Sequence, residues 1–290
     1  MTWTNPLEKK AVLDSPVVEV TPVIWLGRLV LAECWRKEWR NAPPDTPCVL
    51  IRDVASDAAV GHGFPGYSLA SAFVWEDTFY LFGAQLKKVG DRETWHDVSM
   101  TSSKDLETWT PPRVVVEQDP DENCFNQSVC YDGHRFVMAY ETNALVPFTI
   151  KFAESDDLVH WRKVPDALFG PDRYAACPAI RFAGGWYYML YLERPTEDWW
   201  FETWVARSRD LVDWELSPHN PVIAPDPALD VHPDCPERVK EINASDPDLV
   251  EWGGRTRVYF TGGHQHHSGR LQYAEFDGPE QAFFERYFEA

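Results

Sequence analysis

The chain has no run of 18 apolar residues, so no segment reads as a membrane-spanning helix. It has no CxxC pair either. The six cysteines, Cys34, Cys48, Cys124, Cys130, Cys177 and Cys235, are scattered, and no His–Cys cluster has zinc-ligand spacing. In a chain of 290 residues they read as buried thiols. The start, MTWTNPLEKK, carries neither the apolar stretch nor the small-residue cleavage site of a signal peptide. The expected setting is therefore reducing and cytoplasmic. Positive charge is scarce too: 27 Lys and Arg face 46 Asp and Glu, a formal net charge of −19. An acidic surface does not attract phosphate backbones or anionic lipids, which argues against nucleic-acid and membrane partners.

Hydrophobic residues make up 44% of the chain, enough for a sizeable core. Aromatics reach 14%, with 14 Trp. Flat aromatic faces line carbohydrate-binding clefts, but they also fill β-rich cores, and composition alone does not separate the two.

The chain repeats itself. One phrase, S-x-D-L-x-x-W, occurs in Ser102–Trp109, Glu154–Trp161 and Arg207–Trp214, with tryptophans roughly 50 residues apart, a propeller-blade period. A second phrase precedes each copy: an apolar run, a turn rich in Gly, Asp or Glu, then an aromatic and β-branched run. That is a hairpin signature. It begins at Ser71, Gln127 and Pro178, and again at Pro22 and Asp246. Five units follow, spanning roughly 17–58, 66–112, 125–168, 174–218 and 241–278. Five antiparallel meanders arranged radially predict an all-β, five-bladed β-propeller formed by residues 1–290 as a single domain. The segment LEKKAVLDSP is expected to supply the outer strand of the short fifth unit and close the ring. The C-terminal PEQAFFERYFEA reads as a short amphipathic helix or a packed tail.

In a propeller the first strand of each blade lines the channel. The start of each first strand and the end of each second strand then converge at one mouth. Before the first strands stand Glu19 and Thr21, Ser68 and Ser71, Asn126 and Gln127, Ala176 and Cys177, and Asp246 and Asp248. After the second strands stand Glu33 and Arg36, Gln85, Glu141 and Asn143, Glu193 and Arg194, and His264 and Gln265. Glu33, Glu141 and Glu193 are expected at equivalent positions. Crowded acids raise one another's pKa, which lets one stay protonated as a general acid while another works as a base. Asp246 and Asp248, two residues apart, are expected on the same side of their strand. Asp246 is preferred for chemistry, because Asp248 can be taken up by a neighbouring backbone amide. The HQHH run at 264–267 has no matching carboxylate spacing for a metal.

These residues carry a likeness. The chain resembles the five-bladed propeller glycosidases, above all glycoside hydrolase family 43 and its relatives in families 32, 62, 117 and 130. The recurring S-x-D-L-x-x-W phrase and Asp246-Pro247-Asp248-Leu249-Val250, similar to the D-P-x-hydrophobic start that holds the family 43 base, carry it. The resemblance implies sugar substrates, Asp246 as base, inversion and exo attack, with no cofactor. It allows a structural divalent cation in the channel, for which the sequence supplies no ligand set. The departures are specific. The base-like Asp lies in the last unit, while the first has Thr21-Pro22; the acid-bearing E-G-P is replaced by Ala176-Cys177-Pro178; and Asn126 fills the position of the pKa-modulating Asp. The acid must then come from elsewhere in the ring. Glu193 is the first choice, followed by Glu141 and by His264, since family 117 enzymes resemble His users. Glu33, Arg36, Gln85, Asn126, Glu141, Asp248, Glu202 and Gln265 are expected to bind substrate. Glu202, with Trp199, Trp200 and Trp204, either binds a sugar ring or belongs to a packing cluster. Two rival readings stay open: a phosphorylase using Arg36 and Arg194 for phosphate, and a non-catalytic sugar-binding propeller.

Overall fold

Two-residue turns set the architecture. Trp25 pairs with Arg28, Ala183 with Trp186 and Trp252 with Arg255, each across only two residues. Such tight hairpins need left-handed backbone at both turn positions, which Gly184–Gly185 and Gly253–Gly254 adopt at no steric cost. The chain therefore folds back repeatedly on itself as antiparallel meanders.

A computed structural model describes residues 3–13, 19–35, 48–89, 92–143, 148–196, 198–229, 240–264 and 268–289. After β1 (Glu8–Val12), blade 1 holds β2 (Val20–Trp25), β3 (Arg28–Trp35), β4 (Cys48–Asp53) and β5 (Ala59–Gly63). Blade 2 holds β6 (Tyr67–Trp75), β7 (Thr78–Val89), β8 (Arg92–Ser103) and β9 (Arg113–Val116). Blade 3 holds β10 (Cys124–Tyr131), β11 (Phe136–Thr142), β12 (Thr149–Ser155) and β13 (Trp161–Phe169). Blade 4 holds β14 (Ala175–Ala183), β15 (Trp186–Glu193), β16 (Glu202–Ser208) and β17 (Trp214–Leu216). Blade 5 holds β18 (Asn243–Trp252), β19 (Arg255–His264) and β20 (Ser268–Phe276). The N-terminal β1 is its fourth strand, pairing antiparallel with β20 from Glu8–Glu275 to Val12–Gln272, so the predicted ring closure is present. The inner strands β2, β6, β10, β14 and β18 each contact the inner strands of both neighbouring blades. This is a five-bladed β-propeller. Helix α1 (Glu280–Arg286) follows and buries Phe283 and Phe284 against Tyr188, Leu190 and Phe260.

The core lies between blades. Ile150, Phe152, Ile180, Met189 and Tyr191 fill the gap between blades 3 and 4; Val30, Ile51, Phe79 and Leu81 fill that between blades 1 and 2. The repeated S-x-D-L-x-x-W phrase is the device that ends the third strands of blades 2, 3 and 4. Asp157 Oδ1 accepts the amides of Val159 and His160 at 2.9 and 2.8 Å, and Asp105 and Asp210 make the equivalent pairs. These bonds hold Asp105 and Asp210 below the usual carboxylate range, Asp105 at about 2. Leu106, Leu158 and Leu211 take positive φ and are buried, and the Trp161 and Trp214 indoles donate back to the Leu158 and Leu211 carbonyls. The phrase is thus a turn and a packing anchor.

Candidate active site

The inner strands do not all enter the channel alike. In blades 2 to 5 the ladder skips: register shifts fall between Ser68 and Ser71, Phe125 and Gln127, Ala176 and Ala179, and Ser245 and Asp248. The first skipped residue has positive φ each time: Leu69 (51°), Asn126 (47°), Cys177 (48°) and Asp246 (50°). Non-glycine residues adopt this backbone at a cost, and such strain clusters at functional sites. Bulges of this kind re-aim side chains. They turn Asn126, Cys177 and Asp246 towards one pocket at the upper mouth. Blade 1 pairs without a shift and contributes Glu19 and Thr21 to the same pocket.

Three of the residues gathered here form a series of contacts across blades 3, 4 and 5. Glu141 Oε2 accepts the Asn126 side-chain amide at 2.7 Å and the Cys177 backbone N–H at 2.8 Å. The Cys177 thiol donates to Asp246 Oδ1 at 3.1 Å, and the Ser245 hydroxyl donates to Asp246 Oδ2. Glu141 is 2% exposed. Burial pushes its pKa up to about 8, against the two hydrogen bonds and helped by the charges of Asp246 and Glu19. Glu141 therefore holds a proton at neutral pH, and only Cys177 stands between it and Asp246. Burial, followed by the charges of Asp246 and Glu141, raises the Cys177 thiol well above its ordinary value, so it is an inert hydrogen-bond donor rather than a thiolate.

Asp248 shares the pocket but has a different task. The bulge separates it from Asp246. Its Oδ1 accepts the Arg181 guanidinium at 2.6 Å and the Leu249 amide at 2.7 Å. Arg181 also donates to the Leu249 carbonyl at 2.6 Å and stands 3.7 Å from Glu280 of α1. Asp248 lines both the upper pocket and a cavity of about 330 Å³ in the lower channel, which Arg181, Leu249 and Glu280 also line.

The other predicted residues lie elsewhere. Glu33, Glu141 and Glu193 are not equivalent. Glu141 pairs with Phe125, the residue just before left-handed Asn126. The residue opposite the corresponding Ala176 is Leu192, so Glu193 falls one step further, opposite Ala175. One step along a strand is the opposite face. Glu193 accordingly accepts Tyr191 Oη at 3.1 Å and faces Arg173 at 3.5 Å. Glu33 accepts Arg52 Nε at 2.9 Å and Trp35 Nε1 at 3.0 Å. Glu202 accepts both the Trp200 and Trp204 indoles, at 2.8 and 2.7 Å, which makes it the centre of a packing cluster. Gln85 pairs with Tyr67 near the top of blade 2, and His264 ends β19 opposite Ser268; neither lines the pocket. Arg36 and Gln265 lie outside the described residues. Among the described residues no His, Cys, Asp and Glu cluster has metal-binding geometry.

Sequence reading missed an arc of aromatic rings around the mouth. Trp95 meets Phe125 (5.8 Å between centroids), Phe125 meets Phe148 (5.8 Å) and Phe148 meets Tyr174 (5.1 Å). Tyr174 in turn meets Phe201 (5.7 Å), and Phe201 meets Trp199 (5.6 Å), which is 48% exposed. The Arg194 guanidinium lies 5.4 Å over Tyr174. The arc was hidden because its members come from strand ends and loops of three blades. Trp199 was already a candidate for binding a sugar ring; the signal for the other members was the aromatic excess itself.

No protein-family model matches the sequence. The chain is 26% identical over 205 residues to the uncharacterized protein MT1551 of Mycobacterium tuberculosis (strain CDC 1551 / Oshkosh), a match covering 65% of this chain and 56% of that protein. The chain thus spans little more than half the length of that curated relative. Among solved structures it superposes on the BT0996 RGII complex with a TM-score of 0.68 at 14% identity, covering 94% of this chain and 91% of the other. A thermostable family-43 glycoside hydrolase matches with a TM-score of 0.62 at 12% identity, covering 94% and 92%. The structural neighbours include glycoside hydrolases, and what is shared at these identities is the five-bladed fold.

Proposed function

We propose that this protein is a glycoside hydrolase acting on a small glycoside or oligosaccharide, with inversion and by exo attack at the channel mouth. One observation carries the reading: at the mouth of a propeller channel Cys177 joins Asp246 to Glu141, a buried carboxyl whose burial pushes its pKa up to about 8. Asp246 acts as the general base that takes a proton from water. Glu141 replaces Glu193 as the acid, because it, and not Glu193, contacts residues that line the pocket. Asn126 and Cys177 both donate to Glu141 Oε2, so the proton of the neutral carboxyl sits on Oε1, and the leaving-group oxygen accepts it there. At the end of the aromatic arc, exposed Trp199 offers an apolar face to a sugar ring. Inverting hydrolysis needs its two carboxyl groups roughly 6.5–9.5 Å apart, so that a water fits between sugar and base.

The test is turnover of a panel of aryl and disaccharide glycosides, with the first-formed anomer read by NMR. We expect release of the inverted anomer at a rate indifferent to phosphate. A strict phosphate requirement would assign a phosphorylase, and sugar affinity without turnover would assign a binding protein.

A further inference from the structure

Two side chains in the upper pocket have no use in the contacts described so far. Gln127 is 3% exposed and Ser71 is 6% exposed. Neither end of the Gln127 amide, nor the Ser71 hydroxyl, has a hydrogen-bond partner among the described residues. Both line the pocket, and each is the first paired residue after the bulge of its inner strand. Their counterpart in blade 5, Asp248, is satisfied by Arg181; in blade 4 it is the apolar Ala179. A buried, unsatisfied amide costs stability, and natural proteins keep one where a ligand or water completes it. The pocket offers about 40 Å³, enough for water and too little for a sugar ring.

We infer that Gln127 and Ser71 hold the hydrolytic water against Asp246, with the sugar seated above it. This rests on the glycosidase reading and adds the groups that place the nucleophile. The Gln127 amide and the Ser71 hydroxyl fix the water and aim a lone pair at the anomeric carbon. Asp246 removes one water proton as the new carbon–oxygen bond forms. The bond to the leaving oxygen breaks, and that oxygen takes the Glu141 proton. Asp246 ends protonated and Glu141 ionised, and exchange with solvent restores both. Gln127 is a positioning residue in this scheme.

Gln127→Met separates this role from a structural one. Water completes the amide in the resting protein, so its loss should leave the melting temperature within about 2–4 °C of the unmodified protein's. Over the same change kcat should fall at least tenfold while KM moves less than threefold. Ser71→Ala should lower kcat by less, again with the melting temperature inside that range. A fall in melting temperature beyond that range, which would mark a structural role, or an unchanged kcat in a protein that hydrolyses glycosides, overturns the proposal. So does a calcium-dependent melting temperature in the unmodified protein that Gln127→Met abolishes, which would make the pocket a cation site. If the unmodified protein hydrolyses nothing on the panel, the glycosidase reading itself fails.

Discussion

Blades 3 and 4 each carry a glutamate within one residue of the end of the second strand, and the two arrive at opposite outcomes. Glu141 and Glu193 are both buried, and burial raises both pKa values. Glu141 faces the pocket wall, bonded to Asn126 and Cys177. Glu193 faces Arg173 and Tyr191. The difference is one residue of register. Site membership in a propeller is decided by strand parity relative to the bulge, and residue type at a strand end does not predict it.

Breaking the contrast at its centre should give the largest effect. Asp246→Asn should lower turnover by about 10³-fold or more while sugar binding persists, as expected for loss of a general base. Wild-type turnover in this variant would remove Asp246 from the chemistry. Glu141→Gln should cost about 10²–10³-fold on glycosides with poor leaving groups and under tenfold on p-nitrophenyl glycosides, whose leaving group needs no proton. Equal losses on both would argue against an acid role. Glu193→Gln sharpens the comparison from the other side. Its kcat should stay within about threefold, while stability falls by about 1–3 kcal/mol because buried hydrogen bonds to Arg173 and Tyr191 are weakened. The smallest effect belongs to the repeated turn: Asp157→Ala should cost about 1 kcal/mol of stability, read by denaturant titration, with no change in turnover.

Stability should also depend on pH through Glu141. Its folded pKa of about 8 lies above the ordinary 4.5, so the folded state binds the extra proton. The resulting stabilisation is complete below about pH 4.5 and is lost as pH rises through about 8. Glu141→Gln should flatten that slope in thermal melts taken between those limits, and an unchanged slope would assign the proton elsewhere.

The fold was legible because propeller blades repeat in sequence. The S-x-D-L-x-x-W turn uses Ser and Asp at fixed spacing to satisfy backbone amides, and its Leu and Trp to anchor a blade. The closing strand was legible too, because the fifth unit was short by one strand. The site was legible in part. Asp246, Asn126 and Glu141 stood out as polar groups at strand ends. What stayed hidden was the bulge count, which differs between β2 and the other inner strands and sets which face each later residue shows. Alternation alone put Asp246 and Asp248 on one face; the left-handed turn at Asp246 gives them different partners. The pairing of Glu33 with Arg52, and of Glu202 with two indoles, likewise depends on neighbours that periodicity does not reveal.

A ¹³C-edited NMR titration of the Glu141 carboxyl, assigned by its disappearance in Glu141→Gln, tests the central claim without needing a substrate. The account predicts a midpoint near pH 8, lowered when Asp246→Asn removes the neighbouring charge. A midpoint near the ordinary 4.5 would contradict it, because no protonated carboxyl would then stand beside Asp246 at neutral pH.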